Sequence, residues 1–219
     1  MGNLIWKELI NEWRSREIVT SMFIFGLTVT LIFALAFNVS PILFRQFAPG
    51  LLWVVILFTS VLGLNRLFSY EREMDAYWSW ISAPIDRSYV FISKVLVGFI
   101  FLSIAELFFI FPFFLFLNID LSFSFPLLFV TLILGNSAIL SIGCLISGLA
   151  LRADLREVLI PVLLFPIASP VIIAATKSTV FIFQNKPFGE WSIWILILLT
   201  FSLISVLLGY LLYDQIVED

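Results

Sequence analysis

Residues 70–89 gather the side chains best suited to do work. Glu71, Arg72 and Glu73 open the stretch, and Met74, Tyr77, Trp78 and Ile81 follow at i, i+3, i+4 and i+7. That spacing predicts a short amphipathic helix over 71–82, with an apolar, aromatic stripe on one side. Acids at its N-terminal end favour the helix dipole. Pro84 turns Ala83 away from helix, and Asp86 can cap the next helix, which runs past Lys94. A charged edge beside such a stripe is docking chemistry rather than bond-breaking chemistry. It either passes a push from a cytoplasmic partner or anchors the loop at the membrane surface, and the residues alone leave both open.

Catalytic chemistry has little to work with. The chain has no histidine and one cysteine, Cys144. The commonest general base, metal ligand and haem axial ligand is therefore absent, and no internal disulfide can form. Lys177, Ser178 and Thr179 imitate the end of a P-loop, but Val171 and Thr176 stand where that motif needs glycine. Glu106 stands alone inside an apolar run, and intramembrane acids are functional candidates by default. It either holds a proton or pairs with Asn136 or a serine. An intramembrane enzyme would need a cluster of such groups, and a secondary transporter several buried charges and a repeat; neither pattern is present.

The elements that position these residues are six apolar runs, 20–37, 51–68, 89–117, 126–151, 158–176 and 192–213, in a chain of 219 residues that is 62% hydrophobic and 12% charged. About 20 apolar residues cross a hydrocarbon core of about 30 Å, and only internally bonded backbone is tolerated there. The fold class is an all-α polytopic membrane protein, a single membrane domain over 1–219. Residues 3–17 form an N-terminal helix with Trp6, Leu9, Ile10 and Trp13 on one side and Lys7, Glu8, Asn11, Glu12 and Arg14 on the other. It suits either the membrane interface or packing on protein. No cleavable signal or myristoylation pattern is read at the start.

With the N-terminus inside, Lys7, Arg14, Arg16, Arg66, Arg72, Arg87, Lys94, Arg152 and Arg156 are cytoplasmic, against Arg45, Lys177 and Lys186 outside. The positive-inside rule then places both termini in the cytoplasm. No soluble domain is evident, so any nucleotide-binding domain comes from a partner. Pro161, Pro166 and Pro170 lie in the fifth run, where each removes a backbone donor, as a hinge or as a static bend. Gly135, Ser137, Ser141, Gly143, Ser147 and Gly148 keep the fourth run small, for packing by default or for a dimer contact.

The run Glu71-Arg72-Glu73, the apolar stripe, Ala83-Pro84-Ile85 and Lys94 resemble the signature of ABC-2-type permeases, with Asp75 and Ala76 departing from the usual Gly and Thr or Ser. Phe47-Ala-Pro49-Gly50-x-x-Trp53, Leu64–Phe68 and the proline-rich segment 155–170 narrow the resemblance to the haem exporter protein B family, the permease subunit of the cytochrome c maturation ABC transporter. The resemblance implies that 71–82 is a coupling helix docking on a separate ABC ATPase subunit that holds ATP-Mg. It implies a second copy of the chain, a haem-handling membrane protein with a small single-span partner, and a haem chaperone, in the bacterial inner membrane. The implied task is release of the haem-loaded periplasmic chaperone, or export of haem; this chain is then not itself an enzyme. The chain's own haem ligands would be only Cys144, Met22 or a tyrosine, which favours a mechanical role. Arg152, Asp154, Arg156 and Glu157 are expected as a second cytoplasmic contact, and Phe47, Pro49, Gly50 and Trp53 as a contact at the outer face. No cofactor is expected on this chain; membrane lipid is expected as a neighbour and nucleic acid is not. The competing reading is an ABC-2-type exporter of a lipid, drug or polysaccharide.

Overall fold

A computed structural model describes residues 2–36, 41–73, 87–119, 122–150 and 156–218. Among them are seven helices: α1 (Gly2–Ser15), α2 (Glu17–Ala36), α3 (Pro41–Glu73), α4 (Arg87–Phe116), α5 (Phe125–Leu149), α6 (Arg156–Phe183) and α7 (Phe188–Glu218). Six of these are long and apolar enough to cross a membrane. No strand occurs among the described residues. At both ends α3, α6 and α7 outrun the apolar runs that announce them. Thus α6 carries on past Thr176 to Phe183 with Lys177 exposed on it, and α7 begins at Phe188 rather than Ser192.

Helix ends follow from local chemistry. Arg16 adopts φ 56° between α1 and α2, a conformation costing roughly 1 kcal/mol for a residue with a Cβ. The Glu12 carboxylate offsets it by accepting the Ile18 and Val19 amides at 3.2 and 2.8 Å, two donors that the start of α2 leaves without a helical partner. Asn118 and Asn185 take the same left-handed conformation, at φ 50° and 52°, tolerable for a short polar side chain. Each closes its helix with paired back-bonds: Ile119 N to Phe114 O and Asn118 N to Leu115 O after α4, Lys186 N to Phe181 O and Asn185 N to Ile182 O after α6. These are Schellman endings. The Trp191 indole donates to the Lys186 carbonyl at 3.1 Å and fixes the turn into α7.

Cross-helix pairs give the topology. Trp53 lies on Gly135 and Leu64 on Gly143, so α3 and α5 run the same way; a Cβ at either glycine would overlap the side chain seated on it. Tyr213 against Gly148 and Ser202 against Ser137 make α7 parallel to α5. Phe58 meets Phe165 while Trp53 meets Thr179, so α6 opposes α3. Lys94 reaches Leu67 and Glu106 reaches Asn136, so α4 opposes both α3 and α5. Met22 against Gly63, with Arg66 4.0 Å from Glu17, sets α2 against α3. The spans therefore alternate in direction. Residues 2 and 218, the end of α3 and the start of α4 all lie at one end of the bundle, with α3 and α5 the most enclosed spans. The small face of α5 is taken up within the chain, by Trp53, Leu64 and Tyr213.

Candidate functional site

The end bearing both termini holds the densest charge network. Lys94, on the second turn of α4, is buried. Its Nζ donates to Glu8 Oε1 of α1 at 3.0 Å and to the Leu67 carbonyl of α3 at 3.2 Å. The ammonium also lies 5.3 Å from the centre of the Phe68 ring, a favourable cation–π placement. Side-chain exposure is 3% for Lys94 and 15% for Glu8, so solvent does little to screen the pair. Nearby, Arg87 opens α4 with Nη1 3.6 Å from Asp214 Oδ1 near the end of α7. Three helix junctions are thus tied by charge at a single face.

Of the docking residues named from sequence, Glu71–Glu73 are the last residues of α3, so this acidic lip continues the second span. Met74, Tyr77, Trp78 and Ile81 lie outside the described residues, as do Arg152 and Asp154. Arg156 begins α6 and Glu157 is exposed in its first turn. The N-terminal helix packs on the protein, with Ile5 and Leu9 against the core. Glu8 and Glu12 face inward and Trp6 is 65% exposed. This reverses the side expected of the two acids: they find a lysine and a helix start, whereas Trp6 finds none.

At the opposite end, Phe47 is 67% exposed, but Pro49 and Trp53 are buried and Gly50 sits against Thr176. Trp53 therefore presents nothing to an outer partner. Its Nε1 donates to Thr179 Oγ1 at 2.9 Å, and that hydroxyl donates in turn to the Ala175 carbonyl. Midway along the bundle, Asn136 Nδ2 donates to Glu106 Oε2 at 2.8 Å, joining α5 to α4. Of the two pairings open to Glu106, the amide is the one formed. Pro161, Pro166 and Pro170 are all inside the continuous helix α6. The Ser169 hydroxyl donates to the Pro166 carbonyl at 2.8 Å, the acceptor that Pro170, lacking an N–H, leaves open.

Among the described residues no three His, Cys, Asp or Glu side chains converge as a metal site. The arrangement holds helices in register and offers charged, aromatic and apolar surfaces for docking. Sequence reasoning missed Glu8, Glu12 and Ser169. The signal for the first two was their spacing of four, which puts both on one face of α1.

An all-helical bundle of six alternating spans without a soluble domain among its described residues defines an all-α polytopic membrane protein. The chain belongs to the CcmB protein family, which it matches over residues 1–215. It is 25% identical over 182 residues to heme exporter protein B of Pseudomonas aeruginosa, covering 83% of this chain and 81% of that one. It is 28% identical over 179 residues to heme exporter protein B of Haemophilus influenzae, covering 80% and 79%. With heme exporter protein B of Escherichia coli K12 it shares 32% over 82 residues, 37% of each chain.

Proposed function

We propose that this chain is the transmembrane permease subunit of an ABC transporter for cytochrome c biogenesis, handling haem at the bacterial inner membrane. The match to the family over almost the whole chain carries this reading, since the relatives are named for heme export. Both termini lie in the cytoplasm, in keeping with Lys7, Arg16, Arg66 and Arg87 at the end that bears them and Lys186 at the other. ATP-Mg is bound and hydrolysed by a separate ABC ATPase subunit, which docks on residues 71–82. Met74, Tyr77, Trp78 and Ile81 form the docking stripe and Glu71, Arg72 and Glu73 its charged edge; Arg152, Asp154, Arg156 and Glu157 add a second contact. Phe47 remains the candidate for contact with a periplasmic partner. The hydrolysis drives release of a haem-loaded chaperone from a complex that also holds a second copy of this chain, a haem-handling membrane protein and its small single-span companion. The α6 prolines Pro161, Pro166 and Pro170 supply the bend about which the bundle moves.

The test is deletion of the gene in its host, with staining of membranes for covalently bound haem and a parallel assay of b-type cytochromes. Loss of all c-type signal with b-type haem intact, restored by wild type but not by Trp78→Ala/Ile81→Ala, is the expected outcome. Normal c-type cytochromes in the deletion strain would overturn the maturation role and leave an exporter of another substrate.

A further inference from the structure

Lys94 is the one buried cation among the described residues, and Glu8, Leu67 and Phe68, which it meets, lie on helices other than its own. It lies about 10 Å from the start of α4, and the carbonyl it holds on α3 lies about as far from the end of that helix, at 1.5 Å per residue. These are the two helices that carry residues 74–86 between them. Burying an ammonium costs several kcal/mol unless it is paired with good geometry. The Glu8 carboxylate, the Leu67 carbonyl and the Phe68 ring together meet that demand. Glu8 stands one turn from Glu12 on the same face of α1, and Glu12 holds the first amides of α2. One short helix is therefore fastened to α2 and α4 through two acids, and Lys94 carries the link on to α3.

We infer that Lys94 and Glu8 are positioning residues of the coupling route, a pin that makes α1, α3 and α4 move as one body when residues 74–86 are pushed. The inference rests on the reading above that this segment receives the ATPase. A screened surface pair would give way to a small displacement of α4 against α3. A pair at 3.0 Å in a low-dielectric site resists it, because the attraction there is strong and falls off with separation. The displacement is then handed to α1 and, through Glu12, to α2, instead of being lost as local bending beside the loop.

The test uses the intact complex in its host. Lys94→Met keeps length and removes the charge; Glu8→Gln keeps shape and spares the fold; Lys94→Arg keeps a charge able to reach both acceptors. Covalent c-type haem, the membrane level of the chain, the ATPase subunit captured with it and ATP hydrolysis by the captured complex are measured together. Lys94→Met and Glu8→Gln should each lower c-type haem at least tenfold while chain level, capture and hydrolysis stay within about twofold, so that hydrolysis runs without maturation. Lys94→Arg should restore at least half of the haem signal. Wild-type haem in both charge-removing variants overturns the pin. So does loss of capture alongside haem in Glu8→Gln, which would make the pair an ordinary fold contact. A wild-type complex that captures no ATPase subunit strikes instead at the coupling reading itself.

Discussion

Trp53 has a single polar atom, and the protein satisfies it internally on Thr179. In a bilayer, packing and hydrogen bonds hold helices together with no solvent-driven term between them, so its ring on Gly135 and its indole N–H act separately. Thr179→Val removes the acceptor while leaving the indole on Gly135 and should cost about 1 kcal/mol; Gly135→Leu forces the ring away and should cost roughly 1–3 kcal/mol. Thermal unfolding of the purified chain in detergent orders the two. For Glu106 and Asn136, Glu106→Gln should be nearly neutral, because a side-chain oxygen still faces the Asn136 amide. Asn136→Leu removes the one donor to the carboxyl among the described residues and should be clearly destabilising. A double-mutant cycle on Glu106→Leu and Asn136→Leu, each of which removes the contact, should return a coupling of roughly 0.5–2 kcal/mol, and additive losses would show that the contact holds nothing.

At the scale of elements, α6 combines three prolines with an unbroken helical course. The Ser169 back-bond explains one of them: it replaces, on the Pro166 carbonyl, the donor that Pro170 lacks. Pro170→Ala returns that donor, so it should raise the unfolding temperature while lowering c-type haem if a proline bend in α6 serves motion. A variant that is both more stable and fully active would make the bend a packing feature. On α1, Glu12→Ala leaves two amides of α2 without their acceptor and should cost about 1–2 kcal/mol, read from the same unfolding curves. How the sequence showed these elements is instructive. Hydropathy revealed the six spans because lipid tolerates little else, but not where α6 ends and α7 begins, at Phe183 and Phe188. The inward side of α1 was not visible, since amphipathic spacing shows that two faces differ but not which one is covered. The partner of Glu8 lies 86 residues away. Trp53 was misplaced for a similar reason: a tryptophan near the opening of a span suits the interface as well as the interior, and only Gly135 and Thr179, on other helices, decide between them.

At the scale of the whole molecule, alternating spans bring both termini, the α3–α4 connection and the α1 network to one end. That arrangement was legible from six runs and the distribution of Lys and Arg; the network itself was not, because it is made of long-range pairs. The orientation is testable in intact cells. In a Cys144→Ser background, Lys186→Cys should react with a membrane-impermeant maleimide while Asp214→Cys does so only after lysis, and the reverse pattern would turn the molecule over.

The Glu8–Lys94 pair also imposes an order on biogenesis. Glu8 leaves the ribosome 86 residues ahead of its partner, an interval of roughly 4–17 s at usual rates of synthesis. During that time α2 and α3 emerge, and α1 is held only by the Glu12 bonds to the start of α2. Only when α4 arrives, its lysine ready to leave water, does the acid on α1 gain a counter-charge. The entry of that one lysine into the bilayer and the full seating of the N-terminal helix are therefore a single event, and a chain stalled before it leaves its first helix held by α2 alone.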